Sequence, residues 1–144
     1  MIFNPLSEAK YRYRLAVEYL ERAERLFSVE DWVGTVLSSQ IAVENFAKTL
    51  IAIFEVPTWS HDPSNQLSSL IESFPSSMAD DLKELAKMAR ELAPEHGRST
   101  YGEPSAGLTP SDIYTEKHAL NALEKGKKSR EIAEKILNQL SIRL

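Results

Sequence analysis

Cysteine is absent from the 144 residues, so the chain holds no disulfide, no thiolate metal ligand and no cysteine nucleophile, and its stability must come from packing. A reducing, cytoplasmic compartment fits that composition. Neither GxxxxGK[ST] nor GxGxxG occurs, which removes the usual glycine-rich phosphate cradles. No apolar run is long enough and clean enough for a membrane span: the most hydrophobic stretch, from Trp32 to Phe54, is broken by Glu44, Asn45 and Lys48. The opening MIFNPLSEAKYRYR has no apolar segment behind a basic start, which argues against a signal peptide. Positive charge is not in excess either. At a net charge of −4 the chain lacks what a general duplex-coating protein needs. Its histidines, at 61, 96 and 118, offer no ligand spacing along the chain, so neither a metal nor a cofactor is expected.

What remains is helical in period. From Leu6 to Phe27 an apolar stripe (Ala9, Ala16, Tyr19, Leu20, Ala23, Leu26, Phe27) runs behind Pro5 at the start of a first helix. Ser28 followed by Asp31 has capping-box spacing, which starts a second helix within a few residues and makes the two antiparallel. That second helix, Trp32 to Phe54, is apolar over most of its circumference and must be buried by neighbours on several sides. It ends before Val56-Pro57. Asp62 as cap and Pro63 at the first helical position open a short helix carrying Leu67, Leu70, Ile71 and Phe74. Ser77 with Asp80 starts another, which runs to about Leu92 and is stopped by Pro94. Ala93 to Leu108, with three of the five glycines, reads as a structureless connection of a length that is usually functional or disordered. Thr109-Pro110-Ser111-Asp112 then starts a long final helix to about Leu140. Gly126 inside it costs about 1 kcal/mol against alanine, which a closely passing neighbour helix would explain. The pattern predicts one domain, residues 1–144, of the all-α class: an up-and-down four-helix bundle with one additional short helix.

Three groups of polar residues are candidates for function. Gln40, Glu44 and Lys48 stack an amide, a carboxylate and an ammonium along one line of the mostly buried second helix. They form either a structural ion pair or the inner polar surface of a ligand pocket or dimer seam. His61 lies beside Trp59 just before a helix N-terminus, whose free N–H groups suit an anion. His96, Arg98 and Tyr101 combine an imidazole that titrates near neutrality, a guanidinium that forks onto phosphate and a ring that stacks on a base. The basic run Lys125, Lys127, Lys128 and Arg130 is balanced by nearby glutamates and reads as a solvated helix face.

Taken together, the stretch Ser39-Gln40-Ile41-Ala42-Val43-Glu44-Asn45-Phe46-Ala47-Lys48, His61 before the third helix, and Arg98 with Tyr101-Gly102 resemble the HEPN family, the higher eukaryotes and prokaryotes nucleotide-binding domain. The first matches the family's S-Q-x-A-x-E-x-x-x-K helix; the last stands near its Arg-Tyr-Pro loop. Here Ser99-Thr100 separate Arg98 from Tyr101, and Gly102 replaces the proline. The resemblance implies a homodimer that binds a nucleotide (ATP or GTP) or RNA, with a minimal nucleotidyltransferase as a possible protein partner. It puts Lys48, His61, His96, Arg98 and Tyr101 at the ligand, with Gln40 and Glu44 beside them. A ribonuclease branch carries R-x(4–6)-H, and Arg90 with His96 has that spacing. Pro94 between them argues against a shared phosphate, so no catalytic residue is expected and the noncatalytic reading is preferred. The alternatives are a metal-independent endoribonuclease using Arg90 and His96, and a structural dimerisation partner without a ligand.

Overall fold

Asn4 accepts a hydrogen bond from the Ser7 amide at 3.1 Å, and Pro5 occupies the first helical position, so α1 (Pro5–Ser28) begins with both a cap and a preset φ. A computed structural model of the chain describes residues 2–144, leaving Met1 of the expected domain outside the description. Ser28 is the last residue of α1 and does not cap the second helix. Asp31 is the N-cap of α2 (Trp32–Ile51) and accepts from the Gly34 amide at 2.8 Å. The intervening Glu30 takes a left-handed φ of 63°, which lets the chain reverse in three residues.

Helix α2 is the axis of an all-α bundle. It packs against α1, α3 (Ser64–Ser69), α4 (Ala79–Leu92), α5 (Glu95–Tyr101), α6 (Pro110–Ile113) and α7 (Glu116–Gln139). Its apolar circumference is the reason: Val36, Ala42, Val43, Phe46, Ala47, Leu50 and Ile51 are all buried. Burying Phe46, Leu50 and Ile51 completely stabilises the fold by about 2–3 kcal/mol for each side chain. The helix stops at Ile51 and continues as turns, so Phe54 lies outside it and packs edge-on against Phe74 at 4.9 Å. Gly126 of α7 meets Leu20 of α1: a Cβ there would sit 3.0 Å from Leu20 Cδ1, so the close neighbour expected from the sequence is present. Among the described residues no helix is long and apolar enough to cross a membrane.

Three expectations are corrected. The segment from Ala93 to Leu108 is not structureless: it folds as α5, a 3₁₀ turn at Pro104–Ala106 and a single antiparallel bridge between Glu103 and Leu108. Pro94 follows the end of α4 and is itself the N-cap of α5, where its fixed φ and missing N–H do no harm. The final helix is interrupted. Thr109 and Asp112 cap only the four-residue α6, and a second cap, Thr115 with His118, opens α7 after the extended Tyr114. Finally, α4 has no side-chain cap; a 3₁₀ turn at Ser76–Met78 leads into it where the Ser77–Asp80 spacing suggested one.

Gly102 closes α5 at φ 70°, and a Cβ on it would fall 2.1 Å from the Leu108 carbonyl oxygen. Gly97, inside the same helix, has open space where its Cβ would be. Gly102→Ala is expected to lower stability by about 1–3 kcal/mol and Gly97→Ala to raise it by about 0.5–1 kcal/mol, both read from urea unfolding by circular dichroism.

Candidate functional site

The polar line of α2 does not face water. Gln40, Glu44 and Lys48 are buried, Glu44 being 6% exposed and Lys48 2%. Their one-turn spacing lets the Gln40 amide nitrogen donate to Glu44 Oε1 at 3.0 Å and Lys48 Nζ donate to Glu44 Oε2 at 2.9 Å. Asn45, the other inner amide, turns to α1 and accepts from Arg12 at 3.2 Å.

Two histidines from distant segments complete this line. His61 Nδ1 stands 3.1 Å from Glu44 Oε1, and His96 Nδ1 stands 2.8 Å from Gln40 Oε1. The rings stack face to face, with centroids 3.6 Å apart and planes within 15°. The anionic carboxylate fixes the Gln40 amide, since its NH₂ must face Glu44; its oxygen is therefore left for His96, which donates from Nδ1. Desolvation by burial, and then the charge of His61, hold the His96 imidazolium below its ordinary pKa.

Local structure explains how each histidine arrives. The loop carrying His61 is braced by Gln66, which accepts from the Thr58 amide at 2.7 Å and donates to Glu55 and to the Val56 carbonyl. Asp62 accepts from the Ser64 amide at 2.9 Å, but Pro63, expected at the first helical position with Asp62 as cap, is itself the N-cap of α3, which begins at Ser64 without a side-chain cap. His96 is on the first turn of α5, which packs directly on α2.

Arg98 sits on the same short helix but does not join the histidines. Its guanidinium bonds Glu103 at 2.7 Å and Glu95 at 3.4 Å, and lies 5.9 Å from the Tyr114 ring centroid. The Tyr114 hydroxyl bonds Glu95, and burial first, with that carboxylate second, pushes its pKa up. Beside this group a cleft of about 490 Å³ opens between α4, α5 and α7, lined by Glu95, Tyr114, Lys117, His118, Asn121 and Lys125 among others. Tyr101 is 75% exposed at the end of α5, and Trp59, two residues from His61, is 94% exposed.

Arg90 and His96 have different partners. The Arg90 guanidinium is held by Ser64 and Asn65 of α3, at 3.2 and 2.7 Å, while His96 is bonded to α2. His118 is likewise apart, its Nδ1 engaged by Thr115. Sequence spacing gave no metal-ligand pattern, yet the fold brings one ligand atom each of Glu44, His61 and His96 within 4.8 Å of one another. Glu95 is not visible as a partner of Arg98 while the α5 segment reads as loop. Once it is helical, Glu95 and Arg98 form an i, i+3 pair in plain view.

The class is thus an all-α bundle whose central helix carries a buried polar line crowned by a histidine pair. Residues 9–141 match the HEPN domain, and the chain belongs to that family. No curated protein matches it. Among solved structures it is similar to that of TT1696 from Thermus thermophilus, with a TM-score of 0.67, 22% identity, and 90% of this chain and 98% of that one covered. At that identity the likeness concerns the fold.

Lys48→Met should leave the Glu44 carboxylate buried without its cation and cost about 3–5 kcal/mol of stability. Glu44→Gln combined with Lys48→Met should recover much of that loss in the same denaturation assay, because the charge and its partner go together.

Proposed function

We propose that this HEPN domain is a noncatalytic binding module for a nucleotide or for RNA. The observation that carries the reading is the stacked His61–His96 pair. Both rings direct Nδ1 at the buried polar line of α2, which leaves each Nε2 for a ligand. Exposed aromatic rings accompany it. Tyr101 and Trp59 offer faces on which a base can stack, and stacking is tolerant of sequence. The cleft beside Arg98 has the volume of a small-molecule site and carries Lys117 for phosphate, while Lys125 there is paired with Glu91 at 3.1 Å.

In this reading Lys48 orients Glu44 from the interior, and Arg98, held by Glu95 and Glu103, must exchange a carboxylate for a phosphate when it binds. The Arg98 fork suits that exchange. Homodimerisation and partnership with a minimal nucleotidyltransferase belong to the same proposal and rest on the family resemblance. The separate placements of Arg90 and His96 favour binding over cleavage.

Titration of the purified chain with ATP, GTP and a short single-stranded RNA, in the presence of a chelator, tests this by calorimetry. Binding of at least one is expected, weakened about 5- to 100-fold by Tyr101→Ala, with the RNA recovered intact. Absence of binding to all three, or metal-free cleavage abolished by His96→Ala, would contradict it.

A further inference from the structure

We propose that Glu44, His61 and His96 form a binding site for a divalent transition-metal ion of zinc type, with Gln40 as a fourth donor. Two imidazole nitrogens and a carboxylate oxygen, one atom from each residue, already lie within 4.8 Å of one another. Imidazole and carboxylate ligands together select zinc and its borderline neighbours over magnesium or calcium, which take oxygen alone.

Two donor pairs in the cluster are already at about the spacing of a loaded site. A tetrahedron with bonds of about 2.0 Å has edges of about 3.3 Å. Glu44 Oε1 and His61 Nδ1 are 3.1 Å apart, and His96 Nδ1 and Gln40 Oε1 are 2.8 Å apart. In the metal-free chain these two gaps are spanned by hydrogen bonds. A cation takes the place of the two protons if each ring moves its proton from Nδ1 to Nε2, so loading needs a change of tautomer and no net proton release.

Loading also requires the stacked rings to splay, because a single ion cannot lie in two parallel ring planes 3.6 Å apart. His61 supplies the freedom: its side chain is 55% exposed on a loop, whereas His96 is anchored on α5. Lys48 remains on Oε2, the other carboxylate oxygen, where it orients Glu44 as an outer partner does in many metal sites. Its positive charge opposes the ion and limits affinity.

The site shares its histidines with the nucleotide reading and is tested without any nucleotide, so the failure of one is distinguishable from the failure of the other. The full chain, stripped with chelator and dialysed, is titrated with Zn²⁺ by calorimetry, and with Co²⁺ while the visible d–d bands are recorded. One ion per chain is expected, with affinity falling more than about tenfold in both His61→Ala and His96→Ala and holding in His118→Ala. Circular dichroism of His61→Ala, a change on an exposed loop, checks that the fold persists. Zn²⁺ should also raise the melting temperature of the wild-type chain and not that of the His61 variant. No stoichiometric uptake, or uptake indifferent to His61 and His96, would overturn the proposal.

Discussion

A carboxylate placed inside a helical bundle must be given donors on every side, because losing water costs an ion several kcal/mol that only close partners return. Glu44 is that carboxylate here. It accepts from Gln40 and Lys48 on its own helix and from His61 across the fold, and through Gln40 it reaches His96. The arrangement is possible because α2 is greasy elsewhere: with neighbours packed all round it, a single polar line along it becomes an interior line. Segments that approach that line must therefore bring polar groups, and the loop after α2 and the short α5 both do.

This requirement ties the outer architecture to the inner one. Helix α5 lies against α2 and delivers His96, while its last residue, Tyr101, stays in solvent and Arg98 faces two glutamates. Gly102 turns the chain sharply enough to pair Glu103 with Leu108, which positions Glu103 to hold Arg98. The polar line is buried, His61 at its edge is half-exposed, and Trp59 and Tyr101, on the segments that deliver the two histidines, are exposed.

Much of this was legible in the chain. The 3.6-residue period gave α1, α2, α4 and α7 and hence the bundle, and one-turn spacing placed Gln40, Glu44 and Lys48 in line. The two histidines were picked out singly, but their stacking was not, since residues 61 and 96 meet only through tertiary packing. Helix α5 was hidden because it is seven residues long, holds Gly97, and is bounded by Pro94 and Gly102, all of which count as breakers when read locally. At Pro94 the same residue serves both as a stop and as a start. The break at Tyr114 was masked in the opposite way, by a strong cap at Thr109 that opens only one turn of helix.

The claim that the histidines dock on the α2 polar line is tested most directly by long-range ¹H–¹⁵N correlation NMR of the metal-free chain near neutral pH. The account predicts that His96 is neutral with its proton on Nδ1, donated to Gln40, and that His61 and His96 ring protons show mutual nuclear Overhauser effects. A His96 signal averaged between tautomers or protonated on Nε2, with no contact between the two rings, would contradict it.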